Sequence, residues 1–241
     1  MQALEHENTL FAYAAEDLLA LAKLHSAEVD VPTLHAMYQA GFPQGLLLLP
    51  EQDAQVQALT QRMSAILQEM GTLTPQEQTA LNDDLAVDFA AIYLNHTLRA
   101  SPLESVWLDE EQLVLQGPTF AVREFYKKFH MQVANWRLRP DDHLVNELEF
   151  VALMLHRQEY GAALGFLQQH LLQWLPLFAE RVSQRSESAF YATLAQMTAS
   201  ACAYCTQLLL EKGVQAVTVA PPAAPCGQQG AAETCGGAGQ L

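Results

Sequence analysis

Lysine and arginine are scarce in this chain. Only 12 stand against 27 aspartates and glutamates, a formal net charge of −15 over 241 residues. Nucleic acids are held by clustered Lys and Arg, so this balance argues against a nucleic-acid partner and favours a basic one. Long apolar runs are also missing: the longest pure aliphatic stretch, Leu46 to Leu49, is far too short to span a bilayer. The opening residues Met1-Gln2-Ala3-Leu4-Glu5-His6-Glu7 lack the positive start and apolar run of a secretory signal. The expectation is therefore a cytoplasmic protein with no stable membrane insertion. Cysteine is absent until Cys202; Cys205, Cys226 and Cys235 follow, all in the last fifth, whereas a secreted disulfide scaffold would spread them through the fold. No Gly-x-Ser-x-Gly, Walker loop or His-Glu-x-x-His occurs, so no catalytic or nucleotide-binding motif points to an enzyme.

What is present is helical periodicity. Half of the residues are hydrophobic, enough for a sizeable core. Phe11, Ala14, Ala15, Leu18 and Ala22 keep one face. Asp30 can cap a short helix with Pro32 in its first turn, ending near Gly41. Val56, Leu59, Met63, Ile66, Leu67 and Met70 recur at helical steps until Gly71. Thr74-Pro75-Gln76-Glu77 has the form of a capping box and opens a helix predicted to run to about Asn95. Residues 96–117 read as a long connection, and Pro118 starts an amphipathic helix through Phe129. A second connection covers 130–140. From Asp141 to about Lys212 the pattern predicts three or four helices, with breaks near Gly161, at Pro176 and in 183–186. No strand-like alternation of useful length appears.

Composition shifts at Gly213. The stretch 213–241 holds six of the twelve glycines, three of the eleven prolines and a single charge, Glu233. Such a segment buries little apolar surface to offset its ordering entropy. The expected organisation is one all-α helical-bundle domain, 1–212, with a flexible Gly/Pro/Ala-rich tail, 213–241.

Two constellations could carry chemistry. In Arg139-Pro140-Asp141-Asp142-His143-Leu144, Pro140 holds Arg139 extended and one aspartate is expected to cap the next helix. His143 falls in its first turn and Glu147 one turn later. Such a helix start offers adjacent carboxylates to guanidinium groups of a basic peptide. The bland alternative is a helix cap with a solvent-facing histidine. The second constellation is Cys202-Ala203-Tyr204-Cys205, whose thiols share a helix face. Cys226 and Cys235 could complete a four-thiolate metal or redox site, although their wide spacing fits a metal knuckle poorly. Buried helical cysteines are more often small hydrophobes.

Four segments carry a resemblance. Pro140-Asp141-Asp142-His143-Leu144 followed by Glu147 resembles the Pro-(Glu/Asp)-Asp-His signature of the TorD/DmsD family of redox-enzyme maturation chaperones. Glu104-Ser105-Val106-Trp107-Leu108 is similar to that family's Glu-Ser-Val-(Tyr/Trp) segment. Asp88-Phe89-Ala90-Ala91-Ile92-Tyr93 resembles its Glu-Tyr-x-x-Leu-Phe helix, with conservative departures. His170-Leu171-Leu172-Gln173-Trp174-Leu175-Pro176-Leu177-Phe178 resembles its His-Leu-x-x-Trp-x-Pro-x-Phe run, and Phe190-Tyr191 the next helix start. The segments keep the family order over 85–195; the first 80 residues match only in helix spacing, and the tail not at all.

The resemblance implies a non-catalytic chaperone, without a cofactor of its own, as a monomer or homodimer. Its partner would be a molybdenum-enzyme catalytic subunit and that subunit's twin-arginine signal peptide, shielded until the client's cofactor is inserted. The residues implicated by position are Tyr93, Pro102, Trp107, Gly117, Pro140, Asp142 and His143, with Asp141 and Glu147 adjacent. Paired arginines followed by an apolar stretch call for carboxylates beside an aromatic or apolar groove; Trp107 and Tyr93 would supply the groove. Two alternatives remain open: a thiol-based metal or redox carrier built on the four cysteines, and an assembly chaperone of nitrate-reductase type acting on a non-exported subunit.

Overall fold

The computed structural model describes residues 2–95 and 97–222. Among these residues the fold is all-α, with no sheet; one isolated antiparallel bridge pairs Leu103 with His143. The first helix, α1 (Gln2–Ser26), turns Phe11, Ala14, Ala15, Leu18 and Ala22 inward, the face its spacing predicts. Asp30 accepts the Thr33 N–H at 2.8 Å and caps α2 (Val31–Gln39). Asp53 caps α3 (Ala54–Glu69), which buries Val56, Leu59, Met63 and Leu67. The Thr74–Glu77 capping box opens α4 (Pro75–Phe89): Glu77 accepts the Thr74 N–H at 2.8 Å while Thr74 Oγ1 accepts the Glu77 N–H. A π turn, Ala90–Leu94, extends α4 to the predicted end.

The 96–117 connection contains a helix that periodicity could not reveal, because α5 (Glu104–Leu108) is a single turn. Then follow α6 (Gly117–Lys128), α7 (Leu144–His156), α8 (Tyr160–Phe166), a π turn at Leu167–Leu171, α9 (Leu172–Arg185) and α10 (Ala189–Glu211). Two predicted breaks move. Gly161 lies inside α8, and the chain turns just before it, at Gln158, whose φ is 60°. Pro176 lies inside α9. A proline removes one N–H and crowds the carbonyl four residues back, here that of Leu172. The widened π turn ends at that point and absorbs the misfit.

Two helices are apolar nearly all round and form the centre. One, α7, lies along α1; the other, α10, lies along α9 and also packs on α3. Between them and α6, Phe125, Tyr126, Phe150, Phe166 and His170 make one aromatic cluster. The tail also departs from its composition. Val214 and Val219 pack against the core, and the Val217 N–H donates to the Gly161 carbonyl at 2.8 Å. Composition underestimated this stretch because backbone groups, which any residue carries, make several of its contacts. Residues 213–222 thus run back along the bundle beyond Lys212. Residues 223–241, with Cys226 and Cys235, lie outside the described residues.

The segment Asp88–Tyr93 closes one end of the bundle. Asp88 is buried and its Oδ2 accepts from Ser186 Oγ at 2.6 Å and from the Ser188 N–H at 2.5 Å. It thereby fixes the turn between α9 and α10. Phe89, Tyr93 and Tyr191 pack ring against ring beneath it. Asp88→Ala strands buried donors, so we expect a loss of roughly 2–3 kcal/mol in urea unfolding. Thr74→Ala opens an exposed cap and should cost about 1 kcal/mol. Equal losses would mean that the Asp88 bonds add nothing beyond an ordinary cap.

Candidate functional site

The signature Pro140–Glu147 is stitched to the segment Pro102–Ser105. The Glu104 N–H donates to the Asp142 carbonyl at 3.0 Å, and the Leu144 N–H to the Pro102 carbonyl at 2.9 Å. Asp142 Oδ2 then accepts the Ser105 N–H at 2.9 Å. The aspartate thus caps α5 across space rather than the helix that follows it. The cap of α7 is His143, whose Nδ1 accepts the Val145 N–H at 3.1 Å. This corrects the expectation that an aspartate caps α7.

Neither aspartate is presented to solvent. Asp142 is 0% exposed and Asp141 3%. Arg123 already holds Asp141, with Nη2 to Oδ2 at 2.6 Å and Nε at 3.1 Å. Tyr126 also anchors this strand by donating to the Asp141 carbonyl at 3.0 Å. The two side chains face internal partners, not a wall open to a peptide, because the stitch turns them inward. Glu147 is likewise fully buried, although its spacing from His143 suggested a shared outer face.

Glu147 belongs to a carboxyl knot with Glu104 and His170. His170 Nδ1–H donates to Glu104 at 2.9 Å, and the Trp174 indole N–H donates to Glu147 Oε2 at 3.1 Å. Burial pushes both glutamates above the ordinary carboxylate range. For Glu104, hydrogen bonding and charge from His170 oppose that rise; for Glu147, the Glu104 and Asp142 charges add to it. Burial and these neighbouring charges favour the protonated form of Glu147. Its Oε1 is buried with no hydrogen-bond partner.

Apart from Trp107, the other expected residues divide between two clefts. Tyr93, Pro102, Pro140 and His143 line one of about 430 Å³, with Arg137 and Arg139 on its rim. Tyr93 itself is a core residue. Thr198 Oγ1 gives its proton to the Leu194 carbonyl, so His25 Nε2–H donates to Thr198 and His25 Nδ1 accepts from Tyr93 at 2.5 Å. Burial holds His25 down to about 3, so it stays neutral. Gly117 lines a second cleft of about 400 Å³, together with Glu104, Leu108, His170 and the end of the described tail. Trp107 lines neither cleft: it is half-buried against Phe178 on α9, its indole N–H donates to the Ser101 carbonyl at 2.8 Å, and Arg181 lies over its ring at 5.2 Å. A larger cleft, about 620 Å³, opens under 131–139 and is lined by none of the nine expected residues.

Glu104, His170 and Trp174 lie within the resembling segments, yet spacing along the chain gave no sign that they meet. Arg123 carried no signal at all. The cysteines act as core residues: Cys202 and Cys205 are fully buried on α10, and burial pushes the Cys205 thiol up to about 12 and raises the Cys202 thiol well above its ordinary value. Thiolate ligation is disfavoured there. Among the described residues no group of His, Cys, Asp and Glu is arranged to hold a metal ion, and no helix is long and apolar enough to cross a membrane.

Comparison with known proteins gives a concordant picture. A family model described as the nitrate reductase delta subunit matches residues 50–180. The chain is 32% identical over 200 residues to the chaperone protein TorD of Actinobacillus pleuropneumoniae, covering 81% of this chain and 93% of that one. It is 27% identical to the chaperone protein TorD of Vibrio parahaemolyticus over 73% of this chain and 83% of the relative. The Vibrio cholerae protein of the same name is 29% identical over 71% and 79%.

The carboxyl knot predicts a pH signature. Above the unfolded glutamate value near 4.5, the folded chain keeps a proton on Glu147 that the unfolded chain has released. Stability from this group is therefore present at low pH and lost as pH rises, by about 1.4 kcal/mol per pH unit until Glu147 ionises. Glu147→Gln removes the titration and keeps an acceptor for Trp174. Urea unfolding of variant and wild type from pH 5.5 to 7.5 should diverge in favour of the variant as pH rises. Parallel pH profiles would mean that Glu147 is ionised in the folded chain.

Proposed function

Because the chain belongs to the TorD/DmsD family of chaperones for molybdenum enzymes, we propose that it binds the twin-arginine signal peptide of one such enzyme in the cytoplasm and holds it until the client's cofactor is inserted. The observation that carries this reading is the loop between α5 and α6. Glu110 and Glu111 are exposed there, followed by exposed Leu113, Val114 and Leu115. Both ends of the loop, Leu108 and Gly117, line the 400 Å³ cleft that reaches Glu104. Carboxylates next to an apolar run complement paired arginines next to an apolar run.

In this reading the nine residues fall into two groups. Gly117, Pro140 and His143 line the two clefts, buried Pro102 lies beside the latter two, and Trp107 sits next to Leu108, which lines the 400 Å³ cleft. Asp141, Asp142, Glu147 and the core residue Tyr93 are positioning residues that fix the course of 102–108. The basic rim at Arg137 and Arg139 favours the 400 Å³ cleft over the other as the seat of the arginines.

A second reading, assembly of a non-exported subunit, draws support from the family model's description as a nitrate reductase delta subunit. It is what remains if the chain binds the apo catalytic subunit but no signal peptide.

Calorimetric titration with the client's signal peptide at two salt concentrations tests the proposal. Glu110→Gln combined with Glu111→Gln should cost about fivefold in affinity at low salt and less at high salt. Trp107→Ala should cost about tenfold or more, with little salt dependence. Asp142→Asn, a buried change that keeps the α5 cap, should stay within about threefold of wild type. If a peptide with both arginines replaced by glutamine binds as tightly as the native one, recognition of the arginine pair is ruled out and any binding rests on the apolar stretch alone.

A further inference from the structure

After α10 the chain turns back at Gly213, whose φ is 74°, and runs extended over α8 toward the 400 Å³ cleft. The contacts of this strap are those of a bound peptide. The Val217 N–H donates to the Gly161 carbonyl at 2.8 Å. The Gln169 side-chain amide brackets the next two residues: Nε2 donates to the Val217 carbonyl at 2.9 Å, and Oε1 accepts the Val219 N–H at 3.2 Å. Lys128 Nζ reaches the Thr218 carbonyl at 3.3 Å. All these bonds read backbone, so the trough tolerates sequence and selects an extended conformation.

The floor is cleared for a close approach of main chain. A Cβ on Gly165 would stand 1.9 Å from the Val217 carbonyl oxygen, and one on Gly161 2.7 Å from that of Gln215. Neither glycine needs a left-handed backbone, since both lie within or beside regular helix. Their lack of a side chain serves the strap. Yet the strap is held lightly. Val214, Val217 and Val219 are half-buried, while Gln215, Ala216, Thr218 and Ala220 are exposed. Segments with few buried apolar contacts open at low cost. From Val214 to Pro222 the strap carries no charge and alternates valine with small residues. Its last described residues, Pro221 and Pro222, wall the cleft that Glu104 and His170 also line.

We propose that this trough is a receptor for an extended, uncharged apolar segment, and that the chain's own Val214–Pro222 occupies it as a displaceable stand-in for the apolar stretch of the client's signal peptide. The inference rests on the signal-peptide reading for the identity of the client and on the strap geometry for the trough itself. Displacement would couple arrival of the apolar stretch to uncovering of the cleft beside it.

The test uses the full chain. Val217→Pro removes the donated N–H and releases the strap without touching the trough. Gly165→Val fills the floor; Gln169→Ala removes the amide bracket with no added bulk, should Gly165→Val fail to fold. The first probe is a labelled synthetic peptide with the sequence of residues 212–222. It should bind Val217→Pro at least tenfold more tightly than wild type, and lose that binding when Gly165→Val or Gln169→Ala is added. The second probe is the signal peptide, which should bind Val217→Pro several-fold more tightly than wild type and be displaced by the first. If the strap peptide binds neither chain, the trough is ordinary packing and the proposal falls. If it binds Val217→Pro but does not compete with a signal peptide that binds, the stand-in role falls while the signal-peptide reading stands. If no signal peptide binds at all, that reading fails, and the strap peptide alone still decides whether the trough receives extended chain.

Discussion

A carboxylate buried away from water must be paired, hydrogen-bonded or protonated, and this chain buries four of them within one stretch of its core. Asp141 is met by Arg123, Asp142 by the first N–H groups of a one-turn helix, Glu104 by His170, and Glu147 by a proton and the Trp174 indole. Each solution needs a partner from a distant part of the sequence. The pairs therefore act as a set of internal ties, and they fix the course of Pro102–Leu108, which no regular packing face would hold. A single turn such as α5 is not stable by itself; it exists here because the Asp142 carboxylate and carbonyl receive its leading N–H groups.

This arrangement explains why the resembling segments occur together. Glu104, Asp142 with Glu147, and His170 with Trp174 belong to three different segments that meet in one knot. Asp88 and Tyr191 bring the first segment and the last helix start together at the other end. The residue types follow from contact in three dimensions, and motifs that look like separate signatures are the partners of one another.

Much of the fold was legible because helix starts announce themselves. Asp30 and the Thr74–Glu77 box cap the helices that follow them, and the apolar spacing of α1 and α3 matches the faces they bury. What escaped the sequence depends on distance in space. Asp141 and Asp142 look like an exposed acidic pair because adjacent carboxylates on a polar stretch usually are; only the crossing of 102–105 turns them inward. Pro176 reads as a break because a proline usually is one, and the π turn before it is invisible to a count of apolar residues. The strap was missed for a related reason. Its side chains are poor in burial, while its backbone bonds to Gly161 and Gln169 depend on no residue type.

The direction of the buried charges matters for where a basic peptide can go. A net charge of −15 draws cations to the whole molecule, but long-range attraction selects no seat. The carboxyl groups of the signature are buried, and Arg123, the Ser105 N–H and the Trp174 indole already bond them, so they cannot select one directly. Their influence is exerted through the loop they position. By holding Glu104 and α5 in place, they set where α5 ends, and hence where Glu110, Glu111 and the three apolar residues after them begin. Opposite charge in water is worth little per pair, so affinity must come from apolar contact beside it. On the proposed signal-peptide reading, that division would suit a chaperone that must later let its client go: exposed acids would steer, an apolar surface would hold, and the buried acidic knot would keep both in register without touching the peptide.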